Sequence, residues 1–297
     1  MAAVDPGSGH QARQLRRRAL LGAALAAPAL GARAATGSYR IEVPEPSGAT
    51  DAPMPLWLHR PAGWRPDGRI LVVMHGLRRD ADAYRDAWAS LAEAQGLFLV
   101  VPEFSAAKFP GGAWYNQGGA SGGRSRAEWS FFALDRAVAS LRRELSAPPG
   151  GFALYGHSAG AQFVHRYLLM TGAPLVRRLV IANAGSYTLP VFDRPYPEGL
   201  EGTAATAEGL RSAFARPVTV ALGELDIDPN HPALPQQPWA KAQGPYRLAR
   251  GLNFLEVARR TALEMGAPFA WQVRTVPGVG HSNAGMAQAL APLLGSG

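Results

Sequence analysis

The 297-residue chain contains no cysteine. That excludes disulfides, a thiol nucleophile and any thiolate metal site. It also lacks a long apolar run. The most apolar N-terminal stretch, Ala19 to Leu30, is interrupted by Pro28 and is too short to span a bilayer. The seven histidines show no ligand spacing and no H-E-x-x-H occurs, so no metal is predicted. No Walker loop is present, and no G-x-G-x-x-G opens a helix after a strand, so no cofactor is predicted. Net charge is +8, but the first 34 residues hold five arginines against one acid, which is half of that excess. The remaining surface is mildly basic, without the clustered patch that a nucleic-acid partner demands.

Hydrophobic residues make up 47% of the chain, ample for a large core. The length suits one larger α/β domain, or at most two small ones. The N-terminus reads as an export signal. Arg16-Arg17-Arg18 precedes Leu20-Leu21, a mildly apolar Ala/Gly-rich stretch, and Ala32-Arg33-Ala34. This order resembles a bacterial twin-arginine signal cleaved after Ala34, within a residue or two, with a periplasmic or extracellular destination; a basic amphipathic helix that stays in place is the alternative. No stable membrane insertion is expected after cleavage. Residues 35–297 then form one domain.

Along that domain, strands are predicted at 39–43, 56–59, 69–74, 97–101, 151–155, 179–182, 218–222 and 271–276. Arg69 to Met74 and Leu97 to Val101 are nearly unbroken apolar runs, as in strands covered on both faces of a parallel sheet. Helices are predicted over 80–95, capped by Asp80, over 128–145, 161–170, the stretch ending near 265, and 284–294. Insertions are expected at 105–127, 186–215 (irregular) and 228–245 (Pro-rich). Strands alternating with helices imply an α/β fold with a mostly parallel central sheet and helices on both faces.

Gly156-His157-Ser158-Ala159-Gly160 lies between a strand and a helix. A sharp turn there lifts the serine hydroxyl clear of the sheet, and small residues must flank it because strand and helix crowd together. A second match, Gly119-Ala120-Ser121-Gly122-Gly123, has no strand before it and reads as a flexible loop. A serine nucleophile needs a base and an acid, in chain order Ser, Asp/Glu, His. Asp226 follows strand 218–222 and His281 follows strand 271–276, both at carboxyl ends, where open α/β sheets place their sites. Glu224 and Asp228 are rivals for the acid. Backbone N–H groups of Ala159 and of Leu77, after His75-Gly76, are the predicted oxyanion donors.

From His75-Gly76 through the serine motif and Asp226 to His281, the chain resembles the α/β-hydrolases. Within them, Val72 to Gly76, Asp82 to Trp88, Gly96 to Glu103 and Trp114-Tyr115-Asn116 resemble secreted polyhydroxybutyrate-depolymerase-like and feruloyl-type esterases. Leu77 stands where those relatives often carry a cysteine, and His157 where they often carry leucine. The resemblance implies a serine hydrolase of small or polymeric carboxylic esters that works through an acyl-enzyme without a cofactor. A serine peptidase or acyltransferase on the same fold, and a noncatalytic binding protein, are the alternatives. Trp114, Tyr115, Tyr187, Phe192, Tyr196 and Trp239 either line an acyl pocket or anchor their loops. Arg78, Arg79, Arg124 and Arg126 either meet a substrate carboxylate or, the favoured reading, are solvated surface. The modest insertion at 186–215 predicts a small lid and an open cleft.

Overall fold

A computed structural model describes residues 35–121 and 123–295. The predicted signal, residues 1–34, and Gly122 of the second serine motif lie outside the described residues. In chain order the elements are β1 (Gly37–Val43), β2 (Met54–Arg60), β3 (Ile70–Met74), α1 (Ala81–Gln95), β4 (Phe98–Pro102), α2 (Gly111–Trp114), α3 (Ser130–Glu144), β5 (Phe152–His157), α4 (Ala159–Thr171), β6 (Val176–Ala182), α5 (Ala207–Phe214), β7 (Val218–Gly223), α6 (Pro238–Ala242), α7 (Arg247–Glu264), β8 (Trp271–Val276) and α8 (Asn283–Gly295).

The strands form one sheet ordered β1-β2-β4-β3-β5-β6-β7-β8. β1 and β2 pair antiparallel at one edge, and β4 to β8 run parallel through β3. Why the central strands carry no polar alternation is visible in the packing. Ile70, Val72 and Met74 of β3 enter one core layer, while Leu71 and Val73 enter the other. The first layer packs under α3, α4 and α7; the second is closed by α1 and α8. A strand buried on both faces has no solvent side to mark with polar residues.

Three expectations need correction. The 186–215 segment is not irregular throughout, because α5 occupies its second half. Thr206 Oγ1 accepts the Gly209 N–H, and Leu210, Ala213 and Phe214 turn into the core. The helix expected from Glu128 begins at Ser130. Glu128 instead closes a capping box with Ser125 around a 3₁₀ turn, accepting from Ser125 N and Oγ at 2.9 and 2.6 Å. Asp80 does occupy the N-cap of α1, yet its side chain makes no capping bond. The insertions at 105–127 and 228–245 also carry the short helices α2 and α6.

Candidate active site

The elbow is built by steric exclusion. Ser158 has φ 58° and ψ −115°, a left-handed conformation strained for a residue with a side chain. Its N–H donates to Ala182 O at 3.0 Å, so β6 holds the strained turn. A Cβ on Gly156 would lie 2.4 Å from Gly160 O, and one on Gly160 would lie 2.1 Å from Met74 O. Only glycine lets β5 and α4 meet here. The side chain of Ser158 is consequently raised to a half-buried position at the carboxyl edge of the sheet.

β7 and β8 bring the other two groups to the same edge. His281 Nδ1 donates to Asp226 Oδ2 at 2.7 Å, and Nε2 lies 3.1 Å from Ser158 Oγ. The carboxylate accepts only, so the ring proton sits on Nδ1 and Nε2 is left to accept from the serine. Of the three acids considered, Asp226 alone is buried and meets His281; Glu224 is exposed, and exposed Asp228 accepts the Asn230 N–H in a turn.

Three groups unseen in the sequence reading, Arg247, Asn183 and His231, support this chain together with the elbow residue His157. Arg247, fully buried, donates from Nη1 to Asp226 Oδ1 at 3.3 Å. Asn183 donates to Gly280 O at 3.2 Å and accepts the Gly223 N–H at 2.8 Å, tying the end of β7 to the His281 loop. The rings of His157 and His231 flank His281 at centroid distances of 4.7 and 5.0 Å. Burial holds both flanking histidines below the usual imidazole range, and the charges of His281 and Arg247 push the same way. Burial thus biases both flanking rings toward the form that adds no positive charge beside His281.

The predicted oxyanion loop is pinned from behind. Phe104 N–H donates to His75 Nε2 at 3.1 Å, which leaves Nδ1 to donate to Gly76 O at 3.0 Å. Burial pushes the His75 pKa down to about 4. Tyr115 Oη donates to His75 O at 2.7 Å. Leu77 is 57% exposed and faces the cleft, and Ala159 opens α4, whose N-terminus concentrates positive partial charge. Among the described residues neither N–H donates to another protein group.

Arg79 is not solvated surface. Its guanidinium lies 4.1 Å above the Tyr115 ring and donates to Phe104 O, Phe109 O and Gly111 O, bracing the loop between β4 and α2. Arg124 stacks 3.9 Å from the Trp114 ring and Arg126 5.3 Å from that of Trp129. Arg78 reaches the cleft rim. Tyr115 and Tyr187 are wholly buried anchors, and Tyr196 Oη donates to Gln117 O. Phe192 is exposed, whereas Trp239 does line the cleft.

Two clefts meet at Ser158. One, about 300 Å³, runs past His157, His231 and His281 to Asp80 and Arg78. The other, about 160 Å³, runs along α4 past Gln162 and Arg166. Among the described residues no group of three or more His, Cys, Asp or Glu side chains is placed to hold a metal ion.

Neither a family model nor a curated protein matches the sequence. Solved structures do. Poly(aspartic acid) hydrolase-1 from Sphingomonas sp. KT-1 is 36% identical over 87% of this chain and 98% of its own, with a TM-score of 0.83. The poly(3-hydroxybutyrate) depolymerase LpqC from Bordetella parapertussis is 36% identical over 87% of this chain and 89% of its own, with a TM-score of 0.82. An S-formylglutathione hydrolase from Staphylococcus aureus shares the fold at 13% identity, covering 87% of this chain and 97% of its own, with a TM-score of 0.57. The chain belongs to the α/β-hydrolase family, to which these polymer hydrolases also belong.

Proposed function

We propose that the protein is an exported serine hydrolase that cleaves carboxylic esters through an acyl-enzyme, without a cofactor. The observation that carries this reading is the unbroken relay from Ser158 Oγ through His281 to Asp226 beside two unused backbone donors. Ser158 Oγ attacks the ester carbonyl carbon and its proton passes to His281 Nε2. Asp226, steadied by Arg247, keeps the imidazole oriented and stabilises the imidazolium. The Leu77 and Ala159 N–H groups take the oxyanion. As the tetrahedral intermediate collapses, the bond to the alcohol oxygen breaks and His281 returns the proton to it. Water then attacks the acyl-enzyme, giving its proton to Nε2, and the acid leaves as Ser158 is regenerated. Residues 35–297 act as one domain in this reading, and residues 1–34 are the export signal.

The half-buried serine and the open clefts favour bulky or polymeric esters, in keeping with the depolymerase neighbour. Among the described residues no helix is long and apolar enough to cross a membrane. Amide hydrolysis is the second reading, favoured by the neighbour named for poly(aspartic acid), an amide-linked polymer. The test is turnover of p-nitrophenyl acetate, butyrate and octanoate by protein beginning near residue 35, alongside the Ser158→Ala variant and an anilide of the preferred acid. Ester turnover lost in the variant is the expected result. Turnover of the anilide alone would favour the amide reading. N-terminal sequencing of secreted protein is expected to begin at residue 35, within about two positions.

A further inference from the structure

We propose that the cleft along α4 binds a carboxylate at the far end of the acyl group, so that the preferred substrates are half-esters of dicarboxylic acids. This inference rests on the ester-hydrolase reading and names its substrate class.

The direction of the acyl group follows from proton traffic. The leaving alcohol must receive its proton from His281 Nε2, so it occupies the cleft on the histidine side. The acyl group then extends into the other cleft, along α4.

α4 is buried on all sides, yet one face carries a polar stripe: Ser158, Gln162 and Arg166, spaced four apart. Arg166 is 1% exposed and lines the cleft. Its Nε donates to Thr188 Oγ1 at 2.8 Å; its Nη1 donates to Asn116 O at 2.8 Å and Gln162 Oε1 at 3.1 Å. Nη2 has no acceptor and no carboxylate pairs with the guanidinium among the described residues. A buried cation without a counter-ion is costly. Of the other two buried arginines, Arg247 has Asp226, and Arg250 spends its Nε and Nη1 on the carbonyls of Gly244, Gly185 and Pro235, whereas Arg166 keeps Nη2 free toward the cleft.

Gln162 adds a second donor of known orientation. Arg166 only donates, so the Gln162 atom facing it must be the oxygen. That oxygen also accepts from Asn116 Nδ2 at 2.9 Å and Ser186 Oγ at 3.4 Å, leaving Nε2 without a protein acceptor. No acidic residue lines this cleft. An acceptor-only, negatively charged group satisfies both unused donors, and a carboxylate is the planar match to a guanidinium edge. Side chains lean toward a helix N-terminus, and the guanidinium meets Gln162, one turn beyond the serine. One turn is about 5 Å, which fits an acid of four to six carbons.

The test compares p-nitrophenyl hemiglutarate with p-nitrophenyl butyrate, and follows glutarate binding to the Ser158→Ala protein by calorimetry. The hemiglutarate is expected to be favoured about tenfold or more in kcat/KM, carried mainly by KM, with glutarate a competitive inhibitor. Arg166→Gln should collapse the ratio toward one. If that variant does not fold, Gln162→Glu places an internal carboxylate against the guanidinium and should collapse the ratio and abolish glutarate binding. Ser158-dependent hydrolysis with a ratio of one or below, and no glutarate binding, would overturn the subsite while leaving the ester-hydrolase reading intact. Glutarate binding with no Ser158-dependent turnover of either ester would do the reverse.

Discussion

The two ends of the parallel strands carry clefts of the same size, about 300 Å³ each, and opposite chemistry. The amino-end cleft is lined by Arg69, Arg142, Arg177 and Arg178 beside Asp67 and Gly150. Three of these guanidiniums serve the backbone: Arg142 donates to Pro148 O and Gly151 O, Arg178 to Leu293 O, and Arg69 to Gln95 O and Gly295 O. They lie where helices end and carbonyls are exposed, which is where cations are stable. The carboxyl-end cleft holds the strained Ser158, a helix N-terminus, a buried acid and a histidine between them. Volume does not distinguish the cleft proposed to react from the structural one. Strain, unused backbone N–H groups and a buried carboxylate do.

Substitutions sharpen this contrast, and the largest effect belongs at the carboxyl end. Ser158→Ala is expected to lower kcat about 10⁵-fold or more on any ester the protein turns over, with folding unchanged by circular dichroism. Asp226→Asn should lower kcat about 10⁴-fold, because an amide no longer fixes the Nδ1–H tautomer of His281. A residual rate near that of wild type would give the acid role to Glu224 or Asp228. Gly160→Ala forces a Cβ to within 2.1 Å of Met74 O and should cost about 3 kcal/mol or more in denaturant unfolding, if the chain folds at all.

Acid should weaken the carboxyl end through its buried histidines. His75 titrates at about 4 instead of 6.5 because burial disfavours its charged form. Below pH 6.5 the unfolded chain binds a proton that the native chain does not, so this contribution falls as pH drops toward 4, by about 3 kcal/mol. Buried His157 and His165 are depressed for the same first cause and act in the same direction. Asp135 acts oppositely: burial raises its pKa from 3.8 to about 6, so the native chain gains protons first as pH falls and is stabilised. Four depressed histidines, His231 among them, against one raised carboxyl predict a net loss of Tm between pH 6.5 and 4. A Tm that stays flat or rises would mean these rings are protonated in the native state. The smallest effect is at the amino end. Arg142→Ala removes two bonds to carbonyls and should cost about 1 kcal/mol of stability while leaving kcat unchanged.

What the sequence disclosed about this site was whatever the chain fixes locally. The unbroken apolar runs of β3 and β4 identify strands covered on both faces. Small residues around Ser158 mark the elbow. Asp226 and His281 follow strands in the order the fold imposes. Residues defined by a distant partner were not legible. Arg79 looks like any surface arginine until Tyr115 and three carbonyls surround it. Arg247, His231 and Asn183 have roles only once β7, α7 and the His281 loop converge. Some signals were present and overlooked. A polar residue every four positions on the mostly apolar α4 marks Gln162 and Arg166, and Thr206 with Glu208 in the first turn marks α5.

The most direct measurement is the mass of tryptic peptides after brief reaction with p-nitrophenyl butyrate at low pH, where deacylation is slow, or with a fluorophosphonate. The account predicts one covalent adduct per chain on the peptide containing Ser158, absent in Ser158→Ala. An adduct on the peptide containing Ser121, or turnover with no adduct at all, would contradict it.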